Sequence, residues 1–228
     1  MTAQELRVAR KRRGLTQAKA AERLGISQPY LALLEHGKRG LGDRLARKAV
    51  LVFKLRPAAL PLGERRLGEA DAHSLARQLA SLGYPGFASL GTGRRANPAE
   101  VLVTALAQDD LEPRLTEALP WLLLHYPDMD RDWLVRQARL HNLSNRLGFV
   151  VALAKQVSAS AGGTDSARYR ALNRLEARLR ESRLDREDTL CQSSLSPKER
   201  AWLRKKRPAE AAYWHLLTDW RPEHLQYV

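Results

Sequence analysis

The stretch from Leu15 to Glu35, LTQAKAAERLGISQPYLALLE, decides the fold of the N-terminal part of the chain. It contains two short helix patterns on either side of Gly25. Thr16 and Ser27 precede these patterns, where a side-chain oxygen can accept hydrogen bonds from the free amides of a first helical turn. Gly25 is suited to the left-handed backbone conformation that ends a helix without steric cost. The stretch therefore predicts two short, sharply bounded helices joined by a tight turn.

The side chains of the two patterns predict that these helices cross closely. Ala20 and Ala21 place small side chains on the inner face of the first helix, where the second can approach. Pro29 falls in the first turn of the second helix, where a missing amide hydrogen breaks no helical bond. Apolar contacts are expected from Leu24, Ile26, Leu31 and Leu34. This arrangement predicts a helix-turn-helix, a motif of DNA-binding proteins.

Further helices are predicted on both sides of this unit. Residues 6–15 form an amphipathic pattern with Gly14 near its end, and residues 43–55 carry apolar side chains at helical spacing. Two prolines, Pro57 and Pro61, then interrupt regular structure and mark a boundary. We therefore expect a first domain over residues 1–62.

The spacing of these residues resembles the DNA-binding domain of Cro and the phage repressors, the XRE family. The resemblance covers residues 3–56 and rests on Leu6, Arg7, Arg10, the run GLTQ at 14–17, Ala21, the run LGISQ at 24–28, Glu35 and Gly37. It implies an all-α bundle of five helices. In this family the second helix of the helix-turn-helix, the recognition helix, lies in the major groove of DNA. The resemblance also implies an ion pair between Arg10 and Glu35 that holds the first helix of the domain against the recognition helix.

The resemblance further implies which side chains touch DNA. Base contacts are expected from Gln28, Pro29, Ala32 and Leu33, and phosphate contacts from Gln17, Ser27, Tyr30, Lys38, Arg39 and Arg44. The amide of Gln28 matches the acceptor and donor that adenine presents in the major groove. Ala32 and Leu33 stand where the family more often has serine and a polar or basic residue. Leu33 could pack on a thymine methyl group, or the protein could depend more on phosphates and DNA shape.

The charge distribution supports the same assignment independently. The chain has 228 residues and a net charge of +14. Residues 1–66 hold 16 Lys and Arg against 5 Asp and Glu, whereas residues 67–160 hold 9 against 10. A basic surface drives salt-dependent association with phosphates. For the loop residues Lys38, Arg39 and Arg44, an ordinary solvated basic loop is the alternative interpretation.

The rest of the chain is also predicted to be helical, so the fold class is all-α, with helical hairpins after the first domain. A helical domain is expected over residues 67–158, with helices starting near Asn97, Leu115, Asp130 and Leu143, and with Pro120 kinking or restarting the second. Residues 158–166 have the composition of a linker. A C-terminal helical extension is expected over residues 166–228.

Two features of this extension leave alternatives open. Apolar side chains recur every three or four residues at Tyr169, Leu172, Leu175 and Leu179, which fits either a short dimerising seam or a helix packed on the preceding domain. A capping box from Ser196 to Glu199 opens a helix that ends in the basic run at residues 204–207. This run fits either a nucleic-acid contact or a solvated face.

No catalytic, metal or cofactor site is expected. The pair Gly91 and Gly93 lacks the preceding strand and the lysine of a phosphate-binding loop. The acidic residues Asp128, Asp130 and Asp132 lack the glycine and glutamate of a calcium loop, so helix capping explains them better. The single cysteine, Cys191, fits a structural or tolerated thiol in a reducing compartment. Without an apolar run of membrane-span length, we expect a cytoplasmic, nucleoid-associated protein.

Two functions from different classes remain. The first is a sequence-specific transcriptional regulator, a repressor that binds double-stranded DNA at a pseudo-palindromic operator as a homodimer. Its helical region would either dimerise or sense a signal. The second is an antitoxin whose helical region neutralises a toxin partner while the N-terminal domain represses the shared operon.

Overall fold

The chain divides into two compact units, Met1–Glu64 and Arg65–Val228. The structure, a computed structural model, describes residues 1–63, 68, 70–90 and 96–227. Nearly all of its regular secondary structure is α-helical, which confirms the all-α class. The Gly91–Gly93 loop of the sequence analysis lies outside the described residues.

The first unit contains the helices α1 (Ala3–Arg12), α2 (Gln17–Leu24), α3 (Gln28–Glu35) and α4 (Asp43–Val52). In place of the fifth helix expected here, the structure has only a 3₁₀ turn at Pro57–Ala59. The physical reason is the two prolines. Arg56 and Leu60 each precede a proline, and both have the extended backbone that proline imposes on its predecessor.

The structure confirms the predicted helix caps and the predicted turn of the helix-turn-helix. The hydroxyl of Thr16 accepts a hydrogen bond from the amide of Lys19 at 3.2 Å, and that of Ser27 accepts one from Tyr30 at 3.3 Å. Gly25 ends α2 with φ +68°, the left-handed conformation. The two helices pack on a core of ten buried residues, namely Leu6, Ala9, Leu15, Ala20, Ala21, Leu24, Leu31, Leu34, Ala49 and Phe53.

The second unit contains eight α-helices within its described residues. These are α5 (Ala72–Leu82), α6 (Pro98–Leu106), α7 (Pro113–His125), α8 (Arg131–Leu140), α9 (Ser144–Gly162), α10 (Ala167–Arg180), α11 (Pro197–Lys206) and α12 (Ala209–Tyr213). Two strands of two residues each, β1 (Asp188–Thr189) and β2 (Leu216–Leu217), pair in parallel with Asp188 opposite Leu216. The longest helix, α9, is the centre of this unit, with α7 and α10 packed against it.

The packing of α10 decides between the two interpretations of its apolar side chains. Leu172, Leu175 and Leu179 are at most 5% exposed, and α10 packs on α9. This seam is therefore part of the core of the second unit. It leaves no apolar stripe for a coiled coil between two copies of α10.

Two local expectations differ from the structure. Residues 158–166 were expected to be a linker, but α9 continues to Gly162, because Ser158 is buried in the core and the small residues after it fit a helix. Pro120 lies inside α7, which does not restart there but continues through Pro120 as one helix, and Pro120 is itself buried. Core packing on both sides of these residues outweighs their local preferences.

A buried arginine, Arg146 of α9, fastens the segment between α10 and α11 to the core. Its Nε and Nη2 donate to the two carboxylate oxygens of Asp188 at 2.9 Å each. Its Nη1 donates to the carbonyl oxygens of Leu106 and Gln108, also at 2.9 Å. Cys191 is fully buried beside this cluster, and burial raises the pKa of its thiol to about 12. The thiol is therefore protonated and enclosed, in agreement with a structural role.

Candidate nucleic-acid interface

One face of α3 is turned to solvent and carries the residues expected to contact bases. Gln28 and Pro29 are exposed, Leu33 is 38% exposed and Ala32 is half-buried. The opposite face carries Leu31, Leu34 and Glu35, which are buried. The solvent face therefore offers one amide group and a short apolar surface.

A buried ion pair between Arg10 and Glu35 holds α1 against α3. The Nε of Arg10 donates to Oε1 of Glu35 at 2.6 Å, and its Nη2 donates to Oε2 at 3.0 Å. The third nitrogen, Nη1, donates to the carbonyl oxygen of Leu15 at 2.7 Å. Arg10 and Glu35 are only 8% and 4% exposed. The resemblance implied this pair, and the structure shows it as a two-pronged contact, the geometry in which Arg and carboxylate bind most strongly.

The electrostatics of the pair favour its charged form. Burial raises the pKa of Glu35, but hydrogen bonds from Arg10 and Gln17 outweigh burial and lower the pKa overall. The hydrogen bond to Glu35 raises the pKa of Arg10 against the smaller effect of its burial. Glu35 is therefore ionised at neutral pH, and an ionised carboxylate can only accept hydrogen bonds.

The charge of Glu35 orients two glutamines that reach the exposed face. The amide Nε2 of Gln17 donates to Oε2 of Glu35 at 3.0 Å, so the Oε1 of Gln17 is turned towards Gln28. That oxygen accepts a hydrogen bond from Nε2 of Gln28 at 3.3 Å. Because the carboxylate cannot donate, the direction of each step follows from the one before it. The series of hydrogen bonds from Glu35 through Gln17 to Gln28 thus sets the orientation of the Gln28 amide.

The oriented amide of Gln28 retains the groups needed to read a base. One N–H is used by Gln17, while the second N–H and the oxygen Oε1 have no partner among the described residues. A free donor beside a free acceptor complements N7 and N6 of adenine in the major groove.

The residues expected at phosphates fall into three groups. Lys38, Arg39 and Arg44 are exposed, and the side chain of none of them has a hydrogen bond or ion pair with another described residue. Ser27 and Tyr30 lie at the start of α3, where the Ser27 oxygen already caps the helix and its hydroxyl hydrogen is left to donate. Gln17 is half-buried and has a second N–H in addition to the one bound to Glu35.

Sequence reasoning missed two contacts that shape this unit. The Gln17–Gln28 hydrogen bond joins residues eleven apart in different helices, so no local pattern indicates it. Arg13 donates to the carbonyl oxygens of Phe53 at 2.6 Å and Lys54 at 3.1 Å, which binds the end of α1 to the end of α4. In the sequence Arg13 is one of several adjacent basic residues, and nothing marks it as different from its neighbours.

Within the described part of the chain, no group of three or more His, Cys, Asp and Glu side chains could hold a metal ion. Asp130 caps α8 by accepting a hydrogen bond from the amide of Trp133 at 2.9 Å, and Asp132 pairs with Arg178 at 2.6 Å. Asp130 is thus a helix cap, as the sequence predicts, and Asp132 is part of an ion pair.

Comparison with known proteins gives one match, in the first unit. The helix-turn-helix family model matches residues 6–60. No curated protein and no solved structure matches the chain significantly. None of the helices in the described ranges is both long and apolar enough to cross a membrane. Residues 6–60 are therefore a helix-turn-helix domain of the Cro and phage-repressor (XRE) type, which is a DNA-binding domain.

Proposed function

We propose that the protein is a repressor that binds a specific operator as a homodimer, with α3 in the major groove. The observation that carries this proposal is the hydrogen-bond chain from Glu35 through Gln17 to Gln28. It presents one amide in a defined orientation on the exposed face of α3. A preoriented donor and acceptor reads a base at lower entropic cost than a mobile side chain.

The rest of the α3 surface indicates a narrow readout. Leu33 and Ala32 can contact only the methyl group of thymine or the apolar edge of a base. Gln28 is therefore the side chain that we expect to discriminate bases by hydrogen bonding. The exposed cations Lys38, Arg39 and Arg44 would supply affinity that does not depend on sequence.

Because one recognition helix distinguishes few base pairs, we expect two copies of the N-terminal unit to bind one operator. A single amide and a small apolar surface discriminate few base pairs, whereas two copies related by a twofold axis double the number read. Dimeric helix-turn-helix proteins place their recognition helices in half-sites about 34 Å apart. We propose this arrangement on a pseudo-palindromic operator.

Footprinting of the full-length protein across the genome tests the proposal. We expect protected sites with two inverted half-sites one helical turn apart, located where binding blocks transcription. Protection without any shared sequence would contradict specific readout, and protection of lone half-sites would contradict the dimer. A small protein from the adjacent gene that co-purifies with the chain and is toxic alone would favour the antitoxin role instead.

The substitution Gln28→Ala is expected to lower operator affinity by about 1–3 kcal/mol, and to do so mainly at one adenine. Replacing that adenine by 7-deazaadenine removes the N7 acceptor and provides the matched control. Because both changes remove the same hydrogen bond, their effects should not add. Titration of the four protein and DNA combinations measures this. Fully additive losses would show that Gln28 does not contact N7.

The substitution Arg39→Ala is expected to weaken binding to all DNA sequences equally. The loss of one phosphate contact should make the slope of log affinity against log salt shallower by about 0.9. Arg23, an exposed arginine at the end of α2 away from Gln17, is the matched control, and Arg23→Ala should leave the slope nearly unchanged. An unchanged slope in Arg39→Ala would remove this residue from the phosphate contacts.

A further inference from the structure

Helix α11 in the second unit carries a basic face with a tryptophan at its centre. Lys198, Trp202, Lys205 and Lys206 recur at spacings of three and four residues, so they lie on one side of the helix. All four are exposed, and the indole of Trp202 is 53% exposed, which is unusual for so large an apolar side chain. We call these four residues the α11 face.

The other side of α11 is bound to the protein by different residues. Leu203 is buried, and Arg204 makes a two-pronged contact with Glu187 at 2.9 and 2.6 Å. Arg200 donates to the carbonyl oxygens of Ser193 and Leu195 at 2.9 and 3.2 Å. The arginines therefore fasten the helix, and their charges are engaged.

The α11 face has no such internal role. Lys198, Trp202 and Lys205 make no hydrogen bond or ion pair through their side chains to any other described residue, and the same is true of the Lys206 ammonium group. One carboxylate, Glu199, adjoins the face, but it accepts a hydrogen bond from the backbone amide of Ser196 at 2.7 Å and so serves as the helix cap. Three lysines against one engaged carboxylate leave the face with an excess of positive charge.

We propose that the α11 face binds an unpaired segment of nucleic acid. A base would stack on the exposed ring of Trp202, while the lysine ammonium groups contact the phosphates on either side. Stacking on an aromatic side chain requires a base whose face is free, which a duplex does not offer. Lysines at three- and four-residue spacing from the indole fit the close succession of phosphates along a single strand. This binding does not depend on sequence, because every base has a stacking face.

The chemistry of the face favours nucleic acid over an anionic membrane. A helix that lies in a membrane interface needs a broad apolar side to bury among the acyl chains. In α11 the apolar Leu203 is buried in the protein, so Trp202 is the one large apolar side chain on the exposed face. The site is also separate from α3, which lies in the first unit, so it constitutes a second contact with nucleic acid.

Fluorescence anisotropy with the full-length chain tests the proposal on four probes: labelled oligothymidylate, labelled oligouridylate, a duplex of the same length, and phosphatidylserine vesicles. We expect Trp202→Ala to weaken binding to single strands at least about fivefold. Trp202→Phe should retain most of the affinity, since phenylalanine still stacks. Duplex binding should be unchanged in both variants. Unequal losses on the two oligonucleotides would support the proposal and identify whether DNA or RNA is the better occupant.

A double lysine variant and two control variants complete this test. The double variant Lys205→Gln, Lys206→Gln should make the salt slope for oligothymidylate shallower by about 1.4, at roughly 0.7 per phosphate contact. Leu140→Ala, at an exposed leucine of α8, is the control for loss of an exposed apolar side chain and should change nothing. Arg39→Ala should weaken duplex binding while single-strand binding persists.

Several results would overturn the proposal. One is single-strand affinity that is unaltered by Trp202→Ala in a protein with wild-type circular dichroism. Another is an equal loss on the duplex, which would place Trp202 at a duplex contact. Binding to the vesicles with none to the oligonucleotides would assign the face to a membrane.

Discussion

Replacing Glu35 by alanine is expected to destabilise the N-terminal unit by about 3–5 kcal/mol, enough to unfold most of it. The substitution leaves the buried guanidinium of Arg10 without its counter-charge, and only one of its three donor contacts, that to the Leu15 carbonyl, remains. A unit of about sixty residues has little stability to lose. Urea unfolding of residues 1–64, which contain their own core, measures the change.

Two further variants separate the causes of this effect. Glu22 is an exposed carboxylate of α2 without an ion pair to the described residues, and Glu22→Ala should change stability by less than about 0.5 kcal/mol. Glu35→Gln keeps the size of the side chain but removes its charge. Because a neutral amide can donate as well as accept, it also releases the direction of the Gln17 and Gln28 hydrogen bonds. We expect it to reduce base discrimination as well as stability. Equal stability of Glu35→Ala and Glu22→Ala would show that the buried pair is dispensable.

The lowered pKa of Glu35 gives this contribution a pH dependence of known sign. A carboxyl group with a lower pKa in the folded state than in the unfolded chain stabilises the fold while it is ionised. Its contribution is present above the unfolded-state pKa and disappears as the pH falls through the folded-state value. The stability difference between the wild type and Glu35→Gln should therefore shrink on acidification.

The substitution Gly148→Ala is expected to destabilise the second unit by about 3 kcal/mol. Helix propensity alone predicts the opposite, because alanine in a helix is more stable than glycine by about 1 kcal/mol. Gly148 lies in α9 against the indole of Trp214, which is fully buried. A Cβ atom at this position would lie 2.4–2.5 Å from three carbons of that ring. The ring is enclosed and cannot move aside without repacking the core.

The control for this prediction lies in the same helix. At Gly162 the nearest atom to an added Cβ is the Cβ of Ser166 at 3.6 Å, an ordinary contact distance. Gly162→Ala should therefore be neutral or stabilising by up to about 1 kcal/mol. Thermal unfolding of both variants compares them directly. A Gly148→Ala protein as stable as Gly162→Ala would contradict the close packing of Trp214.

The features that sequence reasoning predicted well are those written in neighbouring residues. The cap at Thr16, the turn at Gly25 and the capping box from Ser196 to Glu199 each depend on residues within four positions of one another. These features can therefore be predicted from the amino-acid sequence alone. The Arg10–Glu35 pair is not local, and it was predicted only because the surrounding pattern resembles a known family.

The errors arose where the core outweighs local composition. Residues 158–162 have the composition of a linker, and Pro120 lacks the amide hydrogen that a helix interior uses, yet both belong to helices with buried sides. Burial of a helix face stabilises it by more than the local preferences of one or two residues oppose it. The same reason explains α10, whose apolar spacing fitted either a dimer seam or a core helix.

The sequence by itself determined that the N-terminal unit is a helix-turn-helix with Gln28 at the start of its recognition helix, because helix caps, turns and periodicity are local. Only the tertiary structure decided that Glu35 orients Gln17 and Gln28 and that Gly148 admits no side chain. It also decided that the arginines of α11 are engaged, while its lysine side chains have no partner among the described residues. Each of these facts depends on residues far apart in the chain, and identical side chains in a linear sequence carry no record of which partners the fold brings within hydrogen-bonding distance.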